Sequence, residues 1–305
     1  MKRESCGELR PSDPFASDIC RARYAEDGYL FFRRVLDKDK VLQVKRDLMH
    51  ILQRQGLVEQ NRDEPIWTGA GYEQIDDEPL YELDSCSALF DAAPIHRLLE
   101  SLFGEPVFVA RCITIRFALP HDPVHVSAAH QDGFYVPGVA ALRTLWVPLM
   151  AIDHSAAPLA VAAGSHKMGI LEHVEQKHLE SYILKGRKQS GISWQDRGLH
   201  WLSANFAPGD VLIFHRHTIH RALPNCSDRV RLSLDTRCHP RSIPPTFQNQ
   251  RTILELRKYR QRALEIATGL GAEQKFFEQL ILEMMQRGIA AERDPIHNLM
   301  AELEE

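Results

Sequence analysis

His130-Gln131-Asp132 sets an imidazole and a carboxylate two residues apart. In a strand, residues i and i+2 point the same way, so this spacing can aim both side chains at one ion. Two histidines and a carboxylate on one face are a ligand set for Fe(II) that leaves other coordination positions open. Two other segments have the same form, His173-Val174-Glu175 and His178-Leu179-Glu180. With 15 histidines and 41 acidic residues in 305, about two such tripeptides arise by chance, so context must separate the three. His173 and His178 fall in a charged insertion, where helical geometry would rotate each pair apart and leave it on solvated surface. His130 and Asp132 fall in a stretch that reads as β.

A third ligand has to come from a distant segment. Residues 210–214 form an apolar strand candidate that runs into His215, His217 and His220. The next candidate, 229–236, puts Val230, Leu232 and Leu234 on one face and Arg231, Ser233, Asp235 and Arg237 on the other. Four polar residues in phase describe either an edge strand with a solvated face or the wall of a cavity whose charges are paired. In the second reading the arginine fork suits a carboxylate, with a neighbouring hydroxyl as a further donor.

The elements that would hold these residues divide the chain into three parts. Residues 1–16 are polar and read as loosely ordered. A helix or turn leads past Gly28 into the aromatic run 29–32, a strand candidate. Asp37 is placed to cap a helix whose Val41, Val44, Leu48, Ile51 and Leu52 share one face, with Gly56 ending it. Residues 59–87 read as a long loop, and 94–103 as a helix stopped by Gly104. From Val107 to Phe117 the pattern turns to period two. Further strand candidates at 134–136, 142–152, 159–162, 210–214 and 229–236 are separated by turn signals such as Pro208-Gly209. Short strands without intervening helices favour a sandwich or barrel over a parallel sheet. Residues 165–205 form the charged insertion, without a clear assignment. After Pro244-Pro245 the pattern is helical, and Phe276, Phe277, Leu280, Ile281, Met284 and Met285 make an apolar stripe. That stripe packs on the barrel in one reading and forms a homodimer contact in the other.

Composition sets outer limits. Twelve of the 15 histidines lie between His121 and His239. A formal charge of −4 gives no sign of a nucleic-acid or anionic-membrane partner, and no apolar run is long enough to span a bilayer. The six cysteines show no CxxC pair and the first residues lack a secretory pattern; the expectation is a cytoplasmic protein with free thiols.

Taken together, His130-Gln-Asp132, Leu145-Trp146-Val-Pro-Leu149, Ala163-Gly-Ser-His166, Gly209-Asp-Val211, His220 and Arg231 resemble the phytanoyl-CoA dioxygenase family, as does the opening Tyr24-Ala-Glu-Asp-Gly28-Tyr29. The likeness runs from about residue 22 to 243. It implies a mainly β chain with flanking helices, a double-stranded β-helix (jelly-roll, cupin-like) core at about 105–243, helices and a strand over 17–104, and a helical extension at 247–305, all one oxygenase domain. It implies Fe(II) held by His130, Asp132 and His220, with 2-oxoglutarate and O2 as cosubstrates. By the same likeness Arg231, eleven positions past His220, pairs with the far carboxylate of 2-oxoglutarate, helped by Ser233 and Trp146. The expected reaction hydroxylates a small organic or acyl substrate and releases succinate and CO2. Tyr135, Arg116 and Arg237 are candidate substrate contacts. A carboxylate at Asp132 argues against halogenation, where a small residue admits chloride. The chain departs from many relatives at Ala156-Ala157-Pro158-Leu159, at Ala163, and at Ala222, where some carry a hydroxyl. A non-catalytic metal- or 2-oxoglutarate-binding barrel is the reading from another class, and a cupin-type isomerase or hydrolase a third; neither would turn 2-oxoglutarate into succinate.

Overall fold

The computed structural model describes residues 6–76, 78–81, 83–110, 113–135, 141–181, 188–194 and 198–242. Strand β1 (Gly7–Glu8) pairs in parallel with Leu202 and Ser203, so part of the segment expected to be loose is tied to a sheet. Helix α1 (Ser17–Asp27) ends on Gly28, whose φ of 76° is left-handed and suited to glycine. The chain then enters β2 (Tyr29–Phe32), four buried residues. Asp37 caps α2 (Lys38–Arg54) by accepting from the amides of Asp39 and Lys40. The expected apolar face of α2 is fully buried, each side chain contributing about 1.5–3 kcal/mol relative to exposure.

Residues 59–87 are less irregular than their composition suggests. They hold a 3-10 turn at Tyr72–Gln74, α3 (Glu78–Tyr81) and the start of α4 (Asp84–Phe90). Elements of three to seven residues are too short to show a helical period. Helix α5 (Ala93–Phe103) stops at Gly104 as its sequence indicates. The alternating run from Val107 splits into β3 (Val107–Val109) and β4 (Thr114–Ala118). Segment 134–136, expected as a strand, differs: Asp132–Tyr135 is a single helical turn, α6.

Beyond it come β5 (Arg143–Pro148), β6 (Leu159–Ala162), a hairpin of β7 (Val174–Glu180) and β8 (Lys188–Gly191), β9 (Trp201–Ser203), β10 (Val211–His215), β11 (His220–Ala222) and β12 (Arg231–Pro240). The charged insertion therefore contains a hairpin and ends in a strand of the smaller sheet. Glu175, His178 and Glu180 lie on a strand rather than the helix their charge pattern suggested.

The fold is mainly β, a double-stranded β-helix flanked by helices. Its larger sheet runs β2-β10-β5-β12-β3, with β4 also on β12; its smaller sheet runs β1-β9-β6-β11. Residues of both sheets share one apolar core with α2, α4 and α5. Strand β12 lies inside the larger sheet, antiparallel to β5 on one side and to β4 and β3 on the other. The solvated-edge reading of its polar face is thereby excluded: Arg231, Ser233 and Asp235 are all buried. No helix among the described residues is long and apolar enough to cross a membrane. The helical extension expected at 247–305, with its apolar stripe, lies outside the described residues.

Candidate metal centre

His130 and His220 meet because their backbones pair in an antiparallel bridge on β11, the edge strand of the smaller sheet, the amide of each donating to the carbonyl of the other at 3.0 Å. Their rings lie 4.2 Å apart, centre to centre. Asp132 joins them from the first residue of α6. Its Oδ1 lies 3.7 Å from Nε2 of His130 and 3.7 Å from Nε2 of His220. One ligand atom from each residue falls within 4.8 Å of the others, the single such group of histidine, cysteine and carboxylate side chains among the described residues. An ion about 2 Å from each donor fits between them.

Local hydrogen bonds fix the chemistry of the donors. His130 Nδ1 donates to the carbonyl of Ala128 at 2.7 Å, and His220 Nδ1 to that of Thr218 at 3.0 Å. Each bond leaves Nε2 as the lone-pair nitrogen facing the centre. Burial disfavours the imidazolium in both, and brings His130 down to about 3 with help from its neighbour His220. Burial would push the Asp132 carboxyl up, but the Arg237 guanidinium, the two histidines and Thr144 outweigh it and hold it well below the ordinary range. Two neutral imidazoles and one carboxylate are thus ready without proton loss. That donor set suits Fe(II).

The centre opens into a cavity of about 360 Å³, mouth included, whose walls include Arg116, Trp146, Leu159, Ala222, Arg231 and Asp235. Arg231 is buried; its Nε donates to the Ala157 carbonyl at 3.1 Å and its Nη1 to Ser233 Oγ at 2.6 Å. Trp146 Nε1 also donates to Ser233 Oγ, at 3.0 Å. With both acceptor positions filled, the hydroxyl proton of Ser233 is left to donate elsewhere. Arg231 and Asp235 of β12 and Trp146 of β5 therefore line the same cavity as the three ligand candidates.

The remaining sequence candidates are placed as follows. Arg116 lines the cavity and donates to Asp235 Oδ2, while Arg237 donates to Asp235 Oδ1 and, from Nη2 at 3.2 Å, pairs with Asp132 Oδ2. Tyr135 sits half exposed on α6, edge-on to the His130 ring, with its hydroxyl donating to the Ser190 carbonyl. His166 tethers the 3-10 turn Ser165–Met168 to α1 through Nε2 and the Ala25 carbonyl at 3.1 Å. His215 Nδ1 accepts from the amide of His217 at 3.0 Å, a local bond. His125 pairs with Asp122 at 2.7 Å and stacks on Tyr72.

Three participants escaped sequence reasoning. Thr144 donates to Asp132 Oδ2; its phase, two residues before Trp146 on the same strand, was the signal available. Gln131, fully buried between the two ligand candidates, donates to the carbonyls of Gly169 and His217 at 2.7 Å and accepts from the amide of Leu171 at 2.8 Å. The insertion is thereby latched to the ligand tripeptide. His173, read as solvated surface, accepts from the Gln131 amide at 3.0 Å and stacks on Phe134 at 4.0 Å. Nothing in the sequence marks those two contacts.

Comparison with known proteins gives concordant results. Residues 24–233 match the phytanoyl-CoA dioxygenase (PhyH) family. The 1-deoxypentalenic acid 11-beta-hydroxylases of Streptomyces exfoliatus and Streptomyces arenae are each 32% identical over 228 residues, spanning 72% of this chain and 80% of theirs. Among solved structures, the non-haem alpha-ketoglutarate-dependent epimerase SnoN of nogalamycin biosynthesis superposes with a TM-score of 0.53 at 21% identity, over 75% of this chain and 84% of its own. EctD from S. alaskensis, solved with 2-oxoglutarate and 5-hydroxyectoine, gives 0.53 at 15% identity over 77% and 80%. Those two share the fold.

Proposed function

The chain belongs to the phytanoyl-CoA dioxygenase family, and from that premise we propose that His130, Asp132 and His220 hold the Fe(II) of a hydroxylase that acts on a small organic acid. The enzyme is an Fe(II)- and 2-oxoglutarate-dependent oxygenase with a small-molecule substrate. When bound, iron, 2-oxoglutarate and O2 supply the oxidant for C–H hydroxylation, with succinate and CO2 as co-products. The observation that carries the residue assignment is the convergence of one carboxylate oxygen and two lone-pair imidazole nitrogens in a buried pocket.

The side chains divide the remaining work. Arg231 holds the far carboxylate of 2-oxoglutarate by charge-assisted donation, and Ser233 adds its hydroxyl proton. Trp146 keeps the Ser233 oxygen turned so that this proton faces the cavity. The apolar neighbours Leu159, Phe214 and Ala222 limit water in the pocket, which strengthens each polar contact there. Tyr135 and Arg116 contact the substrate, Tyr135 from α6 beside His130 and Arg116 from the cavity wall. The organic-acid class comes from the Streptomyces relatives, which are 1-deoxypentalenic acid hydroxylases. Five described cysteines are free thiols, which supports a reducing, cytoplasmic setting. Homodimer contact through the C-terminal stripe stays a proposal of the sequence pattern.

Succinate measured against hydroxylated product tests this reading, with terpenoid and other apolar carboxylic acids as the substrate pool. Equimolar succinate and alcohol are expected. Binding of 2-oxoglutarate without any succinate would instead favour the non-catalytic barrel.

A further inference from the structure

We infer that Thr144 and Arg237 are positioning residues that lock Asp132 as a one-oxygen metal ligand. This inference rests on the metal-site reading above. Asp132 is buried, with 3% of its side chain exposed, and its two oxygens have separate surroundings. Oδ1 faces the two imidazole nitrogens at 3.7 Å. Oδ2 faces the other way, accepting from Thr144 Oγ1 and pairing with Arg237 Nη2 at 3.2 Å. The two donors arrive together because Thr144 of β5 and Arg237 of β12 are register partners in the antiparallel ladder. Thr144 is 1% exposed, which limits competition from bulk water for its hydroxyl.

Arg237 is itself held. Its Nη1 donates to Asp235 Oδ1, and Asp235 Oδ2 accepts from Arg116 Nε. The resulting row, Asp132–Arg237–Asp235–Arg116, carries two negative and two positive charges, so it is neutral as a unit. It runs along the cavity wall from the ligand cluster to the neighbouring strand β4. A guanidinium can bridge Asp132 and Asp235 with two different nitrogens, whereas an ammonium is a point charge.

The consequence is geometric. A carboxylate free to turn can offer both oxygens to an ion and fill a position that cosubstrates require. With Oδ2 engaged by two donors, Asp132 presents Oδ1 alone. Arg237, which on charge alone suited an anionic substrate, is committed to this row through the contacts described, while Arg116 joins the row through Nε and also lines the cavity.

Co(II) is the probe, because its binding and its visible spectrum report ligand number without turnover. Titration into the full chain is expected to show about 10- to 100-fold weaker binding for Thr144→Val and Arg237→Met, with a changed visible band. Thr144→Ser should restore both readouts, and Arg237→Lys should restore them only in part. Parent affinity and parent spectrum in both Thr144→Val and Arg237→Met would overturn the inference. If Arg237→Met fails to fold, Thr144→Val decides, since it is near-isosteric and removes one hydroxyl. Asp132→Ala separates the two levels: parent-like Co(II) binding in that variant would remove the metal-site reading itself, whereas its loss alongside an unaffected Thr144→Val would remove only the positioning role.

Discussion

Arg231 and Trp146 donate to the same oxygen, Ser233 Oγ, from strands β12 and β5 of the larger sheet. The shared acceptor turns two separate side chains into one polar corner, in which the Trp146 N–H is spent on the serine and the serine proton is left to donate. The corner lines the same cavity as the His130–Asp132–His220 cluster, and its proposed partner is the far carboxylate of 2-oxoglutarate.

Arg231→Ala should therefore separate cosubstrate binding from metal binding. Truncating one partner of a buried charged pair costs about 2–5 kcal/mol, at least roughly a 30-fold rise in the KM for 2-oxoglutarate. Co(II) affinity measured without 2-oxoglutarate should stay at the parent value. A parent KM would remove Arg231 from the corner.

Trp146→Phe keeps the ring and removes only the indole N–H. The loss of one hydrogen bond, about 1 kcal/mol, should raise the same KM by roughly fivefold. The contact to test is the orientation of Ser233, so Ser233→Ala combined with Trp146→Phe should cost no more than Ser233→Ala alone. Full additivity of the two changes would contradict the shared-oxygen arrangement.

Gly28→Ala probes the entry into β2. The residue sits at φ 76°, and an added Cβ would fall 2.3 Å from His166 Nδ1 and 2.8 Å from Thr218 Oγ1. Left-handed strain and overpacking together should destabilise the fold by about 2–5 kcal/mol, read as a fall in the denaturation midpoint at unchanged slope. Gly56→Ala meets nothing within 4 Å and should show only the strain.

Thiol reactivity should follow burial. The Cys86 and Cys238 thiols are pushed up to about 12 by desolvation, so below that pH they remain protonated and unreactive in the native chain. Cys226 is exposed and should react first with a thiol reagent at pH 8. Cys86 and Cys238 should become reactive only in denaturant, where an ordinary thiol value returns. Native reaction of either would show that its packing opens.

How far the sequence could be read depended on whether a signal was periodic. The phase of β12 put Arg231, Ser233, Asp235 and Arg237 on one face, and the structure buries the first three in a polar interior and leaves Arg237 partly buried beside them. The face of α2 was legible for the same reason, and Gly56 and Gly104 marked the ends of α2 and α5. His130 and Asp132 do converge, but through a bridge to His220 followed by a helical turn, not through strand alternation. Four residues of helix carry no period to detect. Gln131 was invisible because a glutamine between two ligand candidates looks the same whether it faces solvent or, as here, latches the loop at Gly169–Leu171. The hairpin within 165–205 was hidden by its charge, since β7 is mostly exposed and lacks an apolar phase.

The central claim is that His130, Asp132 and His220 hold one iron beside 2-oxoglutarate. Anaerobic addition of Fe(II) to the protein with 2-oxoglutarate tests it most directly, followed by visible absorption. A charge-transfer band that saturates at one iron per chain and disappears in His220→Ala is expected. No band in the parent, or an undiminished band in His220→Ala, would contradict it.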